Sequence, residues 1–235
     1  MITEAEVLRR ARDWRVDPMI VDLDYVLGCF LSQWFRLPAA KEMLFKGGTC
    51  LRKCYLADYR FSDDIDLFVN DDNRFGLWAE RVIHVLAASG EWRLDILLKD
   101  ARFVRLSLVE KDILLKIELI NDVPSHIGAI RPDAILGKLD SPENILANKV
   151  IAVIDRQEPK DLADIWGFCC KMGLSLNGAI TDAHSKAAGI FPADLARVLC
   201  SPTRADWEMV RWIDPPDAEG YLQDLNRLGD SLILR

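Results

Sequence analysis

The sequence predicts an α/β (α+β) protein with a mixed sheet, flanking helices and a C-terminal helical lobe. Two observations carry this prediction. Between residues 43 and 120, short segments rich in β-branched and aliphatic residues, typical of strands, follow helical segments with apolar residues at three- and four-residue spacing. From residue 141 onward, the helical spacing prevails. The chain of 235 residues is long enough for one α/β domain with N-terminal helices, placed at residues 1–139, and a helical lobe at residues 140–235.

Two helices are predicted before the first strand. Thr3 and Glu6 have the spacing of a capping box at the start of the first helix. Asp17-Pro18 is a cap followed by a first-turn proline, and the helix that it starts runs to about Arg36. Apolar residues recur along this second helix at helical spacing, so we expect it to build the core.

A glycine pair connects the first predicted strand, residues 43–46, to a helix over residues 49–56. Glycines at such a turn let backbone amides approach a ligand closely, and the N-terminus of a helix attracts anions. This arrangement predicts a phosphate-binding turn surrounded by positive charge. The residues assigned to it are Lys46, Gly47, Gly48, Thr49, Arg52 and Lys53.

An acidic pair opens the next strand, residues 65–69. Asp64 and Asp66 are two positions apart, so both carboxylates project from one face, roughly 6 to 7 Å apart at the backbone. Flexible carboxylates at that separation suit Mg²⁺, which prefers one or two carboxylates together with water and phosphate oxygens. The pair therefore predicts a site for one or two Mg²⁺ ions, while a solvated turn at the start of a strand is the simpler alternative.

A helix over residues 75–89, with Gly90 as its stop, precedes three predicted strands over residues 92–98, 103–109 and 113–120. In the last strand, alternation places Lys116 and Glu118 on one face and aliphatic residues on the other. If this strand lies beside the acidic strand, Glu118 is a third carboxylate and a candidate general base. An exposed Lys/Glu pair on a sheet edge remains the alternative.

The C-terminal part reads as helices after a turn-rich stretch, residues 121–139. Ser141-Pro142 caps a helix that runs towards Arg156 and carries Lys149 in its middle. A further helix begins near Lys160-Asp161, and the helices that follow are broken by glycines and prolines.

Two stretches, Lys46-Gly-Gly-Thr-Cys-Leu-Arg-Lys-Cys-Tyr55 and Arg60-Phe-Ser-Asp-Asp-Ile-Asp-Leu-Phe-Val69, resemble the AbiEii/AbiGii toxin family of nucleotidyltransferases. This family includes the MenT toxins and belongs to the polymerase β-like nucleotidyltransferase superfamily. Its pattern is a glycine turn, an Asp-x-Asp pair and a third carboxylate on a later strand. The segment Lys-Asp-Leu-Ala-Asp that begins at Lys160 is similar to a later family motif.

The resemblance implies Mg²⁺-dependent transfer of a nucleoside monophosphate (NMP) from a nucleoside triphosphate (NTP) to an acceptor, with the 3′ end of tRNA as the expected acceptor. It implies that Asp64, Asp66 and Glu118 bind metal and that Lys149 and Asp161 serve activity, with Asp164 as the alternative to Asp161. Asp161 also suits the first turn of a helix. The nucleotide-binding residues expected are Lys46, Gly47, Gly48, Thr49, Arg52 and Ser62.

The biological role implied is the toxin of a toxin–antitoxin or abortive-infection system, with a cognate antitoxin as a possible partner. Two alternatives remain open: a nucleotidyltransferase acting on a small, antibiotic-like molecule, and a nucleotide-binding regulatory module without turnover. A basic acceptor surface would favour tRNA. The candidates for it are Arg9, Arg10, Arg12 and Arg15 in the first helix, and Arg93, Lys99, Arg102, Arg105 and Lys111 in the later strands.

Composition excludes several other classes. A formal net charge of −7 makes the chain a poor general nucleic-acid binder. No apolar run is long enough to span a membrane and the N-terminus is acidic, so we expect a soluble, cytoplasmic protein. The six cysteines form no Cys-x-x-Cys pair typical of structural zinc, and the three histidines are isolated from any serine or cysteine pattern typical of a hydrolase.

Overall fold

The structure, a computed structural model, describes residues 2–70 and 72–233. Contacts divide the chain into two compact units. Unit 1 comprises Met1–Lys53, Phe61–Pro124 and Ile130–Asp140, and unit 2 comprises Cys54–Arg60, Ser125–Ala129 and Ser141–Arg235. Two short segments, residues 54–60 and 125–129, thus belong with the C-terminal residues.

The helices of unit 1 begin and end close to their predicted positions. They are α1 (Glu4–Trp14), α2 (Pro18–Trp34), α3 (Gly47–Cys50) and α4 (Phe75–Ser89). The side chains of Thr3 and Asp17 accept hydrogen bonds from backbone amides in the first turns of α1 and α2. After α3 the backbone widens into a π-type turn, Leu51–Tyr55. Gly90 ends α4 in the left-handed conformation at φ 65°, as its predicted role as a stop requires.

A seven-stranded mixed sheet forms the centre of unit 1, in the order β3-β4-β5-β2-β1-β7-β6. The strands are β1 (Leu44–Lys46), β2 (Asp64–Asn70), β3 (Arg93–Lys99), β4 (Phe103–Glu110), β5 (Ile113–Asp122), β6 (Arg131–Asp133) and β7 (Gly137–Leu139). β2 pairs in parallel with β5, and β1 pairs in parallel with β7. The remaining neighbours are antiparallel.

Alternation along the strands separates an apolar face of the sheet from a polar one. Ile65 and Leu67 in β2 and Leu115 and Leu119 in β5 are completely buried. α2 packs against β5, and α4 packs against β3. The opposite face carries Asp66 and its neighbours, so the sheet presents charged groups on a rigid apolar support.

β6 and β7 correct one expectation from the sequence. The segment from residue 121 to residue 139 was expected to be turn-rich, and it contains these two short strands. β7 adds to the sheet beside β1, and the Asp140 amide continues the pairing by donating to the Phe45 carbonyl at 3.0 Å. Three-residue strands that contain proline or glycine lack the length and composition that reveal a strand in the sequence.

Unit 2 is helical. Its helices are α5 (Pro142–Arg156), α6 (Pro159–Trp166), α7 (Leu176–His184), α8 (Pro192–Leu199), α9 (Arg204–Met209) and α10 (Ala218–Ile233). A π-type turn, Gly167–Lys171, continues α6. Ser141 caps α5 as predicted. Tyr59, Trp166, Trp212 and Tyr221 form a cluster of ring contacts that buries the apolar side of α6 and α10.

None of the helices in the described ranges combines the length and the apolar character needed to cross a membrane.

Candidate active site

The glycine turn between β1 and α3 faces the acidic strand directly. Gly47 has a φ of +80°, a conformation that side chains rarely adopt. A Cβ at Gly47 would overlap the carboxylate of Asp66. Glycine therefore allows the chain to turn into α3 while that carboxylate lies against the turn.

A charged row crosses the polar face of the sheet at the same level. Lys46 in β1 is the direct partner of Asp66 in β2, and Asp66 is the direct partner of Glu118 in β5. Glu118 is in turn the partner of Arg105 in β4. In a parallel pair, direct partners point to the same face, so the Asp66 and Glu118 carboxylates project side by side. The neighbouring strands thus meet the condition on which the role predicted for Glu118 depended.

Glu118 has a cationic partner as well. The Nε atom of Arg105 lies 2.9 Å from the Oε1 atom of Glu118, and its Nη2 atom lies 2.8 Å from the same oxygen. Because Arg105 is about half exposed, solvent screens this ion pair. The pair holds the Glu118 carboxylate towards β4, and its role as a general base remains a prediction.

Lys46 is fixed at the other end of the row. Its Nζ atom lies 2.8 Å from the Oδ2 atom of Asp122, at the end of β5, and 3.5 Å from the ring centroid of Phe68. Lys46 is 5 % exposed, so its charge is held in place rather than mobile at the surface. Asp122 is an acidic neighbour of the site that the sequence analysis did not identify.

Two other residues predicted to bind the nucleotide have partners within unit 1. The hydroxyl of the buried Thr49 donates to the backbone carbonyl of Asp64 at 2.5 Å. Arg52 is buried, forms an ion pair with Asp24 of α2 at 3.1 Å and lies over the Phe61 ring at 5.3 Å. Thr49 therefore couples the turn to β2, and Arg52 couples it to α2.

Gly48 and Ser62 are the remaining residues predicted to bind the nucleotide. Gly48 is buried in α3, and Ser62 is half-buried two residues before β2. Backbone amides of the turn are the groups that the prediction assigns to phosphate. That assignment, like the one for Ser62, remains a prediction.

The donor set on the polar face suits Mg²⁺. Asp64 and Asp66 supply hard carboxylate oxygens from one strand face, and Mg²⁺ commonly takes its other ligands from phosphates and water. Across residues 2–70 and 72–233, no three His, Cys, Asp or Glu side chains are grouped closely enough to hold a metal ion by themselves. A metal at Asp64 and Asp66 would therefore take further ligands from phosphate or water, and Glu118 forms an ion pair with Arg105.

Unit 2 contains a buried chain of alternating charges around Lys149. The Nζ atom of Lys149 lies 2.7 Å from Oδ1 of Asp161 and 2.8 Å from Oδ2 of Asp164. Arg156 donates two further hydrogen bonds to Asp161, at 2.7 and 3.0 Å. Arg60 donates two hydrogen bonds to Asp164, at 2.7 and 2.6 Å. Both carboxylates are fully buried, so the predicted Lys149 and Asp161 lie together, and Asp164 lies with them.

Charge pairing keeps this cluster ionised despite its burial. Burial opposes the charge of Lys149, but the carboxylates of Asp164 and Asp161 outweigh it and raise the pKa of the ammonium. Burial likewise opposes the charge of Asp161, yet Lys149 and Arg156 lower the pKa of this carboxyl to about 2. Lys149 is consequently a permanent cation at neutral pH.

Arg60 is the site residue that sequence reasoning missed. Its partner Asp164 lies 104 positions away in the chain, so no local spacing connects them. The signal that could have found it is the position of an arginine directly before the Phe-Ser-Asp-Asp-Ile-Asp motif. Asp24 and Asp122 were missed for the same reason, since each pairs with a residue distant in sequence.

A mixed sheet that bears a glycine turn opposite an Asp-x-Asp strand, with an acidic residue on the adjacent parallel strand, defines a nucleotidyltransferase fold. Residues 29–169, more than half of the chain, match the family described as "Nucleotidyl transferase AbiEii toxin, Type IV TA system". The chain belongs to this family of nucleotidyltransferase toxins, and it is a nucleotidyltransferase. Membership implies an NTP substrate and a cognate antitoxin.

Solved structures support the fold. The chain is similar to MenT4, a nucleotidyltransferase toxin from Mycobacterium tuberculosis H37Rv, with a TM-score of 0.66 and 17% identity, over 100% of this chain and 91% of that chain. It is also similar to a putative nucleotidyltransferase from H. pylori, with a TM-score of 0.56 and 18% identity over 98% and 96% of the two chains. The chain is likewise similar to JHP933 from Helicobacter pylori, with a TM-score of 0.56 and 18% identity, over 99% of this chain and 93% of that chain. No curated protein sequence matches the chain.

Proposed function

We propose that this toxin transfers NMP from an NTP to a hydroxyl at the 3′ end of tRNA, with release of pyrophosphate, in a Mg²⁺-dependent reaction. The observation that carries the proposal is the register of β2 and β5, which makes Asp66 and Glu118 neighbours on one face beside the glycine turn. An NTP:acceptor transfer needs phosphate binding, metal-binding carboxylates and a proton acceptor. The polar face of unit 1 has a candidate for each.

In this proposal the residues of unit 1 have three roles, namely metal binding, phosphate binding and proton acceptance. Asp64 and Asp66 would hold Mg²⁺, which would supply positive charge beside the transferring phosphoryl group. Backbone amides of Gly47 and Gly48 bind phosphate oxygens, and Lys46 adds a fixed positive charge. Glu118 accepts the proton of the attacking hydroxyl, a role typically worth about 10²- to 10⁴-fold in rate.

The proposal extends to unit 2 through Lys149. A lysine ammonium has three donors. Among the described residues, Nζ of Lys149 meets two acceptors, Asp161 and Asp164, so one donor hydrogen remains for a ligand. The side chain keeps 11% of its surface exposed, which permits contact with an anion. We propose that Lys149 serves NMP transfer as a phosphate-binding cation, with Asp161 holding it.

The acceptor is supported by the resemblance to the MenT toxins, which implies the 3′ end of tRNA. The predicted basic surface of the later strands supports it less strongly. Of its five residues, Arg93 pairs with Asp95, Lys99 with Glu80 and Arg105 with Glu118. Because these carboxylates offset the positive charge, a small-molecule acceptor is the second candidate. NTP and tRNA meet in the cytoplasm, where we propose that the toxin acts.

The test is a labelling reaction with purified protein, total tRNA, Mg²⁺ and each α-labelled NTP in turn. We expect labelled tRNA with one or more NTPs, loss of label with Asp66→Asn and no loss with Asp112→Asn, a carboxylate change in an exposed turn. Absence of tRNA label from a folded wild-type protein would contradict the tRNA acceptor. Pyrophosphate release with a small-molecule cell fraction would then identify the second candidate.

A further inference from the structure

Arg60 and Asp164 form a buried ion pair that the reaction described above does not use. The guanidinium and the carboxylate meet through two parallel hydrogen bonds, and Asp164 is completely buried while Arg60 is 3 % exposed. The backbone of Arg60 also forms an antiparallel bridge with Trp212. Both partners are therefore held rigidly inside unit 2.

The carboxylate of Asp164 serves two cations at once. Its Oδ2 atom accepts from Arg60 at 2.6 Å and lies 2.8 Å from Nζ of Lys149. Because the guanidinium fork fixes the plane of the carboxylate, Asp164 offers Lys149 an oxygen in one direction. Asp161 supplies the second direction from the other side of the ammonium. Two fixed acceptors leave a four-carbon side chain little freedom.

Neutralisation alone does not require this arrangement. Lys149 lies between two carboxylates, of which Asp161 also pairs with the partly exposed Arg156 and Asp164 with the buried Arg60. Buried ion pairs of this kind are often replaceable by apolar residues without loss of stability. In this cluster, two fixed carboxylates limit the directions that are left for the third donor of Lys149.

We propose that Arg60 and Asp164 are positioning residues that orient the ammonium of Lys149 for NMP transfer. The inference rests on the proposed function of Lys149. It adds that orientation of the cation, and not only its presence, sets the rate of transfer.

The charged groups that act on Lys149 are Asp164, Asp161 and Arg60. Arg156 acts through Asp161, and the phenols of Tyr59 and Tyr221 lie within the field of Asp164. Removing the charge of Asp164 takes away one of two carboxylates that keep Lys149 protonated. A variant at this position is therefore expected to change the pH dependence of transfer as well as its rate.

The experiment compares wild type with Asp164→Asn, Arg60→Lys and the control Glu208→Gln, which alters an exposed ion pair on α9. We expect Asp164→Asn to lower kcat about 10- to 100-fold, as a misplaced group typically does, with KM for NTP changed much less. We also expect the alkaline fall of kcat in this variant to occur at lower pH, because Lys149 loses its proton more easily without Asp164. Arg60→Lys keeps the positive charge but loses the paired hydrogen bonds of the guanidinium to Asp164. We therefore expect its kcat to lie between those of wild type and Asp164→Asn. Wild-type kcat and pH profile in both variants would overturn the proposal.

A double variant, Arg60→Leu with Asp164→Leu, separates positioning from folding. It removes the pair without leaving a buried unpaired charge. A folded double variant with low kcat supports positioning, and a folded one with wild-type kcat overturns it.

NMR titration of labelled lysine Cε provides a readout without turnover. We expect the Lys149 pKa to fall in Asp164→Asn, and an unchanged value would overturn the inference. A wild type that titrates as expected but transfers no NMP would contradict the proposed function instead.

Discussion

Gly47 is the residue at which backbone geometry and the acidic pair constrain each other most closely. Its φ is +80°, and a Cβ would overlap the Asp66 carboxylate. For Gly47→Ala we expect loss of labelling activity together with destabilisation by about 1 to 3 kcal/mol, because the left-handed conformation and the overlap both oppose alanine. Urea unfolding and the labelling assay measure the two effects.

Gly90 provides the matched control. It also has a positive φ, 65°, but a Cβ there meets nothing within 4 Å. Gly90→Ala should therefore cost about 1 kcal/mol for the backbone alone and leave labelling intact. Equal losses of activity in both variants, or a fully active Gly47→Ala, would contradict the close contact between the turn and Asp66.

Asp161 links the buried charges to acid stability. Its pKa of about 2 in the folded state lies below the value of about 3.9 expected in the unfolded chain. Its stabilising contribution is therefore complete above pH 4 and disappears as the pH falls from 4 towards 2. From this difference we expect a loss of about 2 kcal/mol in the free energy of unfolding over that range.

Asp161→Asn tests the assignment of that acid sensitivity. The variant should be less stable than wild type at pH 7, because Lys149 then depends on Asp164 alone. Denaturant unfolding should show a smaller drop between pH 4 and pH 2 than in wild type. The same drop in both proteins would assign the acid sensitivity to other carboxylates.

Single residues also show the limit of sequence reasoning. Asp64, Asp66 and Glu118 were recognised because strand alternation is local, and β2 and β5 place them on one face. The partners of Arg60, Arg52 and Lys46 depend on contacts between segments far apart in the chain. No spacing rule connects such positions, so these ion pairs could not be predicted from the sequence.

Among the elements, β2 carries the acidic pair on one face and core residues on the other. Leu67, which follows Asp66 in the chain and points to the opposite face, is completely buried. We expect Leu67→Ala to lower the free energy of unfolding by about 2 to 5 kcal/mol, as cavities in well-packed cores do. Leu97→Ala, at a position 55% exposed in the edge strand β3, should cost much less, and urea unfolding of both variants measures the contrast.

Equal costs at the two leucines would mean that β2 does not form the core of the sheet as described. A large cost at Leu67 alone would agree with a rigid apolar support for the polar face.

The elements were predictable in proportion to their length. The helix from Phe75 to Ser89 and the strands β3 to β5 have clear periodicity, and the structure confirms them within two residues. β6 and β7 have three residues each, and pairing places them in the sheet, β7 against β1 and β6 against β7. Tertiary contacts override weak local preference in such segments.

At the scale of the whole molecule, the net charge of −7 limits how an RNA acceptor can bind. Three of the five basic residues in the later strands already pair with carboxylates, so few phosphate contacts are available. We expect KM for tRNA to rise about 10- to 40-fold between 50 and 200 mM salt, since two to three phosphate contacts predict a shallow dependence. Labelling rates across a salt series measure it, and a rise above 10³-fold would indicate a larger basic surface.

The most direct test of the central claim, that β2 and β5 form one catalytic face, is a double-mutant cycle between Asp66 and Glu118. Single-turnover rates of NMP transfer would be measured for Asp66→Asn, Glu118→Gln and the double variant. Residues that act together in one site give strongly non-additive losses. We predict a double variant about as slow as the slower single one. Wild-type transfer by Glu118→Gln, or losses that simply add, would contradict the account.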